Sequence, residues 1–500
     1  MVKHAGGVLL PTLRVERGTA RPVSSQLVCA LRELILSGAL GPGQRLPSSR
    51  TLARDQGISR TTAIGVYETL GAEGLIVSRV GAGSYVSDAL SAKAQAEIYP
   101  AVASTRRQPT RLARLMQNAT GQFFPRLTHP AQPRAFVTGL PAFDIFPMAL
   151  WAKLAARQWR EPRSLAFGYP EPGGLAALRQ AIATHLRANR GIVCEAEEVF
   201  ILNGAQEAFN RIGSALLDPG DAVWFENPGA IGARNSLLSS GARLVPVPID
   251  AEGIDVAAGI AREPDFRLAF VTPSHQHPLG VTMSLKRRFE LLQAAEHADA
   301  WIIEDDYDGE FYYSGYPQPT LKSVDVSGRV IYVGTFSKSL FPGLRLGFLV
   351  ATGALSEVFS RIAGATLQGT PTHLQAIVAS FLEEGHFTSH IRRMRKVYAE
   401  RQDVLLESAR AKLAGMLDVR PTESGFQTVG HLRLPLNEQR VADAAASRGV
   451  TVAPIGRFCI EPADFQGFAL GFSTSTPREL RAGVTALASV LEGLVHDRVA

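Results

Sequence analysis

Three stretches of the chain group residues that could do chemistry together. Asp305, Asp306 and Tyr307 follow the apolar run Trp301–Glu304. Thr335, Ser337, Lys338 and, further on, Arg345 follow the run Val330–Val333. Asn203-Gly204-Ala205-Gln206-Glu207 follows Val199–Leu202 and precedes an apolar helical pattern. A lysine amine can condense with an aldehyde. A carboxylate can hold a pyridine nitrogen protonated, and a phenol can hydrogen-bond a ring oxygen. Hydroxyls, a guanidinium and the free N–H groups at a helix start can hold a phosphate. Those are the needs of pyridoxal phosphate. A Ser-Lys pair or an acidic turn alone would be ordinary surface; the ordered set is not. Spacing leaves Asp306 open as an alternative to Asp305 at the ring nitrogen.

These groups need rigid elements behind them. From about residue 136, short β-type runs alternate with long helical patterns. The runs are Val199–Leu202, Ala222–Phe225, Leu268–Val271, Trp301–Glu304, Val330–Val333 and Leu346–Val350. This alternation predicts an α/β domain with a mostly parallel sheet. Ligands of such sheets bind at the carboxyl ends of the strands, where the groups above fall.

A second constellation lies near the N-terminus. Residues Leu52 to Leu70 hold two helical patterns around Gly57, with Ser59 placed to cap the second and Gly71 to end it. Ile58, Ala63, Val66, Tyr67 and Leu70 supply a buried face. Arg60, Thr61 and Thr62 then fall in the first turn, which in a helix-turn-helix points into the major groove. Leu75 to Val86 reads as strand, glycine turn and strand, a wing with Arg79 near its tip.

Leu36 to Ala53, with its Leu46-Pro47-Ser48-Ser49-Arg50, and the wing together resemble the GntR type of winged helix. That resemblance implies phosphate contacts for Ser48, Ser49 and Arg50; Ser48 also suits a helix cap. Phe167 to Arg179, Glu226-Asn-Pro-Gly229, Pro273 to Gly280, Glu304 to Asp308 and Gly334 to Leu340 resemble fold-type I aminotransferases. With the winged helix in front, the chain resembles the MocR/GabR regulators nearly throughout. By that resemblance Lys338 is the Schiff-base lysine that carries the aldimine. Asp305 is the partner of the pyridine nitrogen and Tyr307 of the ring 3′-oxygen. Gly204, Ala205, Gln206, Thr335, Ser337 and Arg345 form the phosphate cup. The chain departs from the aminotransferase pattern at three places. His277 stands where an asparagine usually meets the ring oxygen. Ala230 replaces a stacking aromatic. Ala469 takes the place of the arginine that grips an amino-acid carboxylate. Arg234 and Arg457 are spare cations that could bind an acidic effector.

Composition agrees with a large cytoplasmic protein. The 500 residues are 46% hydrophobic and 20% charged, which excludes bulk disorder and collagen. Cys29, Cys194 and Cys459 are too few and too scattered for a disulfide framework or a metal pair. Val8–Leu10 is too short for a signal peptide, and Ile362–Leu382 carries Gly, Pro, Gln and His, so no membrane span is expected. Residues 1–90 hold 10 Lys/Arg against 6 Asp/Glu, and 91–135 hold 7 against 1. This basic end implies a polyanion partner. The expected organisation is a winged-helix DNA-binding domain at 1–90, a basic linker at 91–135 and an aminotransferase-like effector domain at 136–500. The expected function is a regulator that binds double-stranded operator DNA and senses an amine or amino-acid-related effector through pyridoxal phosphate. The alternative is a working aminotransferase with an appended DNA-binding module. Loss of the arginine at 469 favours the regulator, with weak transamination at most. An amino-sulfonate, a diamine-derived acid or a free B6 vitamer would suit a site without that arginine. Resemblance also implies a homodimer.

Overall fold

Local signals set the first elements. The Ser48 side chain accepts from the Thr51 N–H and so starts helix α1 of the reading pair, Ser49–Gln56. Gly57, at φ 62°, turns the chain in the left-handed region that favours glycine. The Ser59 side chain accepts from the Thr62 N–H and starts α2, Arg60–Ala72. Strands β1 (Ile76–Arg79) and β2 (Gly83–Val86) pair antiparallel as the wing. Leu27, Leu31, Leu52, Ala63, Val66, Leu70 and Val86 form this unit's core, with Ile58 packed at its margin.

The computed structural model describes residues 13, 15–19, 21–79, 82–90, 111–125, 134–160, 168–313, 318–366 and 369–499. The wing tip, most of the linker, Phe167 and Val8–Leu10 lie outside the described residues. The chain divides into two compact units, Met1–Arg111 and Leu112–Ala500. The segment from Leu112 to Pro125, expected to be linker, therefore belongs to the larger unit. Its helix Arg114–Thr120 packs on the helix Ile231–Ser239. Leu115 reaches the backbone at Gly241.

The larger unit is built on eight strands. They are β3 (Val199–Leu202), β4 (Ala222–Asn227), β5 (Arg243–Asp250), β6 (Gly253–Ile254), β7 (Leu268–Val271), β8 (Trp301–Asp306), β9 (Val330–Thr335) and β10 (Gly347–Val350). Their order is β3-β10-β9-β8-β7-β4-β5-β6. Neighbours from β9 through β5 run parallel, and β10 and β6 run antiparallel to their neighbours. Alternation along each strand fills two cores: Val223, Phe225 and Ile303 face one, Trp224 and Ile302 the other. A second sheet of β11 (Leu417–Val419), β12 (Gln427–Leu432), β13 (Ala453–Pro454) and β14 (Gly467–Gly471) is antiparallel throughout. The helix His386–Lys412 packs on Pro477–Val499 beside it. No helix among the described residues is long and apolar enough to cross a membrane.

Candidate functional site

A cleft of about 590 Å³ opens at the carboxyl ends of β3, β8 and β9, within the range of small-molecule sites. Gly204, Ala205, Gln206, His277, Asp305, Tyr307, Thr335, Ser337, Lys338 and Arg345 all line it. The strand ends explain the convergence. β8 and β9 each run two residues past the apolar run read from sequence, so Asp305, Asp306 and Thr335 are still on strands.

Alternation on β8 separates the two acids. Asp305 is on the face of Ile303, towards the cleft. Asp306 is on the other face, 2.5 Å from Arg190 and 2.6 Å from the Tyr332 hydroxyl. Asp306 is thus bound up in a buried ion pair. Oδ1 of each acid is buried with no hydrogen-bond partner among the described residues, and of the two only Asp305 lines this cleft. Burial, then the neighbouring Asp306 charge, pushes the Asp305 carboxyl well above the usual range.

The other groups are held from below. The Lys338 Nζ donates to the Gly139 carbonyl at 2.6 Å. Gly139 has φ +77°, and a Cβ there would stand 3.1 Å from Nζ. The Tyr307 hydroxyl donates to the His275 carbonyl at 3.0 Å, and the His275 ring pairs with Asp308 at 2.8 Å. The Gln427 amide lies 3.1 Å from Nδ1 of His277. Burial, then Lys338, pushes His277 down to about 3, so its ring is neutral. With Gln427 donating to Nδ1, the ring proton sits on Nε2.

One end of the cleft is a helix start. The helix Ala205–Leu216 has no side-chain cap, and Gly204 precedes it at φ 93°. No side chain therefore blocks the approach of a ligand to this helix start, which lines the cleft. Arg345, itself at φ 53°, donates to the Asn203 carbonyl at 2.9 Å and so stands beside that turn. Gly347 lets β10 approach: a Cβ there would sit 2.8 Å from the Ala205 nitrogen.

Sequence reasoning missed Thr138, Gly139, Leu140, Phe426, Gln427 and Phe458, which also line the cleft. They come from segments far away in the chain and carry no spacing motif. Gly139 before Leu140-Pro141 marks a turn in the sequence, but not its place in the cleft.

Arg234 and Arg457 are not in the cleft lining. Each is one residue from a lining residue, Ala233 and Phe458. Both guanidinium carbons lie 5.6 Å from the ring centre of Phe124. Arg234 donates to the Cys459 carbonyl at 3.3 Å and Arg457 to the Pro125 carbonyl at 2.9 Å. The Nε of each is buried without a partner among the described residues. Ala469 is on β14, fully buried in an apolar cluster with Ile231, Val429, Ile455 and Phe458, against which Phe124 packs. The space an arginine would need there is filled by hydrocarbon.

In the smaller unit Ser48, Arg50, Arg60, Thr61 and Arg79 are exposed, and Ser49 and Thr62 are half-buried. Ser48 caps its helix, so its oxygen is partly engaged. Arg79 lies over the Tyr85 ring at 4.9 Å and 3.8 Å from Asp88.

Comparison with known proteins accounts for both units. Residues 143–481 match the family of aminotransferases class I and II, and residues 23–86 match the gntR family of bacterial regulatory proteins. The chain is 39% identical over 490 residues to a probable rhizopine catabolism regulatory protein, MocR, of Rhizobium meliloti, covering 96% of each. The chain belongs to the MocR-type regulators. A second such regulator, the HTH-type transcriptional regulator TauR of Rhodobacter capsulatus, is 33% identical over 467 residues, 92% of this chain and 94% of that one. Among solved structures, LysN, an α-aminoadipate aminotransferase of Thermus thermophilus complexed with N-(5′-phosphopyridoxyl)-L-leucine, is 28% identical. It matches with a TM-score of 0.67 over 77% of this chain and 96% of that one. This MocR-type chain therefore joins a DNA-binding winged helix to an aminotransferase-class domain. The cleft fits pyridoxal phosphate on its own chemistry. It offers an amine, an uncapped helix start beside an arginine, and a buried carboxylate oxygen that lacks a donor.

Proposed function

We propose that this cytoplasmic regulator binds pyridoxal phosphate in the cleft and uses it to sense an amine or amino-acid-related effector. The unpartnered Oδ1 of Asp305 carries the reading, because a buried carboxylate without a donor is costly and a pyridinium N–H would supply one. When bound, the cofactor supplies an aldehyde for an amine and a ring that draws electrons. Lys338 is the amine that would hold it covalently, and an effector amine would compete with Lys338 for it. Asp305 holds a proton on the ring nitrogen. Tyr307, fixed by the His275 carbonyl, and Nε2–H of His277 face the ring oxygen. Gly204, Ala205, Gln206, Thr335, Ser337 and Arg345 hold the phosphate. Arg234 and Arg457 grip an anionic end of the effector, since Ala469 offers no arginine there. The winged helix binds operator DNA with Arg60, Thr61 and Thr62 on base edges and Ser48, Ser49, Arg50 and Arg79 on phosphate. A homodimer presents two such units.

The purified protein should absorb near the visible, and borohydride should fix a pyridoxyl group to it. Lys338→Ala should abolish the fixed group and keep the fold. A group fixed at full yield in Lys338→Ala overturns the assignment. The complete set of Lys338, Asp305 and Tyr307 also suits a transaminase; steady-state turnover across amino donors, set beside operator binding, separates that second reading.

A further inference from the structure

Phe124 and Pro125 lie on the stretch of chain that follows the DNA-binding unit. Their hold on the larger unit is specific. The Asn235 side chain pairs with both backbone groups of Phe124: its Oδ1 accepts from the N–H at 3.1 Å, and its Nδ2 donates to the carbonyl at 2.8 Å. Arg457 donates to the Pro125 carbonyl at 2.9 Å. The Phe124 ring lies by both the Arg234 and Arg457 guanidiniums and caps the apolar cluster around Ala469. Neither arginine makes an ion pair among the described residues. Two partly buried cations on one aromatic ring call for an anion. What they have instead is a carbonyl oxygen and the negative face of an aromatic ring, the two weakest stand-ins for one.

We infer that Phe124 and Pro125 form a strap that occupies Arg234 and Arg457 in place of an effector's anionic group, so that the anion releases the segment leading to the DNA-binding unit. The inference rests on the proposed role of those arginines. Competition follows from bond strength. A carboxylate or sulfonate brings an opposite charge and two parallel bonds to a guanidinium, where a carbonyl offers one bond and no charge. An anion that draws the two forks together also removes the pocket in which the ring sits. The released segment carries the helix Arg114–Thr120, which rests on the same helix, Ile231–Ser239, that bears Arg234 and Asn235. Ile231, Gly232 and Ala233 at the start of that helix line the cleft. Ligand, arginine and strap are thus contiguous.

The test uses the full chain loaded with pyridoxal phosphate and two probes, 2-aminoethanesulfonate and 3-aminopropanoate. Probe affinity is read from the absorbance of the cofactor, and strap release from amide hydrogen exchange of residues 114–124. A saturating probe should speed exchange across those amides. Phe124→Ala should tighten the better probe by roughly five- to thirtyfold, the worth of two cation–π contacts, with Phe124→Leu in between. Arg457→Ala should both weaken the probe and speed exchange without it. Exchange that is unchanged or slowed at saturation overturns the strap, as does an affinity that Phe124→Ala leaves alone. If Arg234→Ala and Arg457→Ala leave probe affinity unaltered, the role of the arginines fails, and the strap's competition with it. If neither probe binds the wild-type chain, Phe124→Ala must bind one; absence there also overturns the proposal.

Discussion

Asp305 and Asp306 are adjacent, chemically identical and opposite in role. One residue along a strand moves a side chain to the other face, and here that step separates a cleft from a core. Asp305→Asn should weaken pyridoxal phosphate binding and shift its absorbance while leaving urea unfolding of the cofactor-free chain little changed. Asp306→Ala should do the reverse. It leaves Arg190 buried without its partner, which costs about 3–5 kcal/mol, seen as a lower urea midpoint. That the lysine, an acid of the pair and the tyrosine would meet at one strand-end cleft was legible in the sequence, but which acid faces it was not fixed by spacing, because face depends on strand register. Glu226 illustrates a different buried acid. It accepts from the Thr272 N–H and hydroxyl and from Gln276, yet burial pushes it up to about 7 from 4.5. The folded chain keeps that proton where the unfolded chain has released it. Stability from this group is therefore lost as pH rises from about 4.5 to about 7. Glu226→Gln has no such proton, so its stability relative to wild type should improve by about 3 kcal/mol across that window, measured by urea unfolding at either end.

Elements were legible in proportion to their periodicity. All six apolar runs became strands of the main sheet, with β4, β8 and β9 extended by two polar or small residues. β5 was not read, because Pro246 and Pro248 argue against a strand; its partner β4 runs alongside, and its other neighbour is only the two-residue β6. The second sheet was missed because its strands have two to six residues and little alternation. That loss mattered for function, since Gln427 of β12 and the neighbouring Phe426 and Phe458 line the cleft. The helix Ala205–Leu216 was anticipated, but what keeps its start open lies on the neighbouring strand at Gly347. Gly347→Ala should drive β10 and the helix start apart and weaken the cofactor by at least tenfold. Titration of the apo chain with pyridoxal phosphate checks this, with pyridoxal as the control ligand that should lose less. Equal losses for both would place the damage away from the phosphate.

At the scale of the whole molecule, charge and motif in the sequence together point to DNA. Arg60→Ala should cost about 1–3 kcal/mol of specific operator affinity if its guanidinium meets a base. Arg50→Ala should weaken binding alike on specific and random duplexes and flatten the salt dependence. Electrophoretic shifts at two salt concentrations separate the patterns, and wild-type behaviour from both variants would remove these residues from the interface. Sequence composition placed the joint between the two functions across residues 91–135, because Arg, Pro, Gln and Thr without periodicity look alike whether or not they are docked. The compact unit begins at Leu112 instead, and that has a practical meaning for how such proteins can be recombined. A chimera that receives a new reading head should be spliced upstream of Leu112, where the donor brings only its DNA contacts. Splicing at 136 would also exchange Leu115, Phe124 and Pro125. The grafted protein should then still bind its operator and still colour with cofactor, but answer to no inducer, an outcome that a reporter strain carrying the two splices would display side by side.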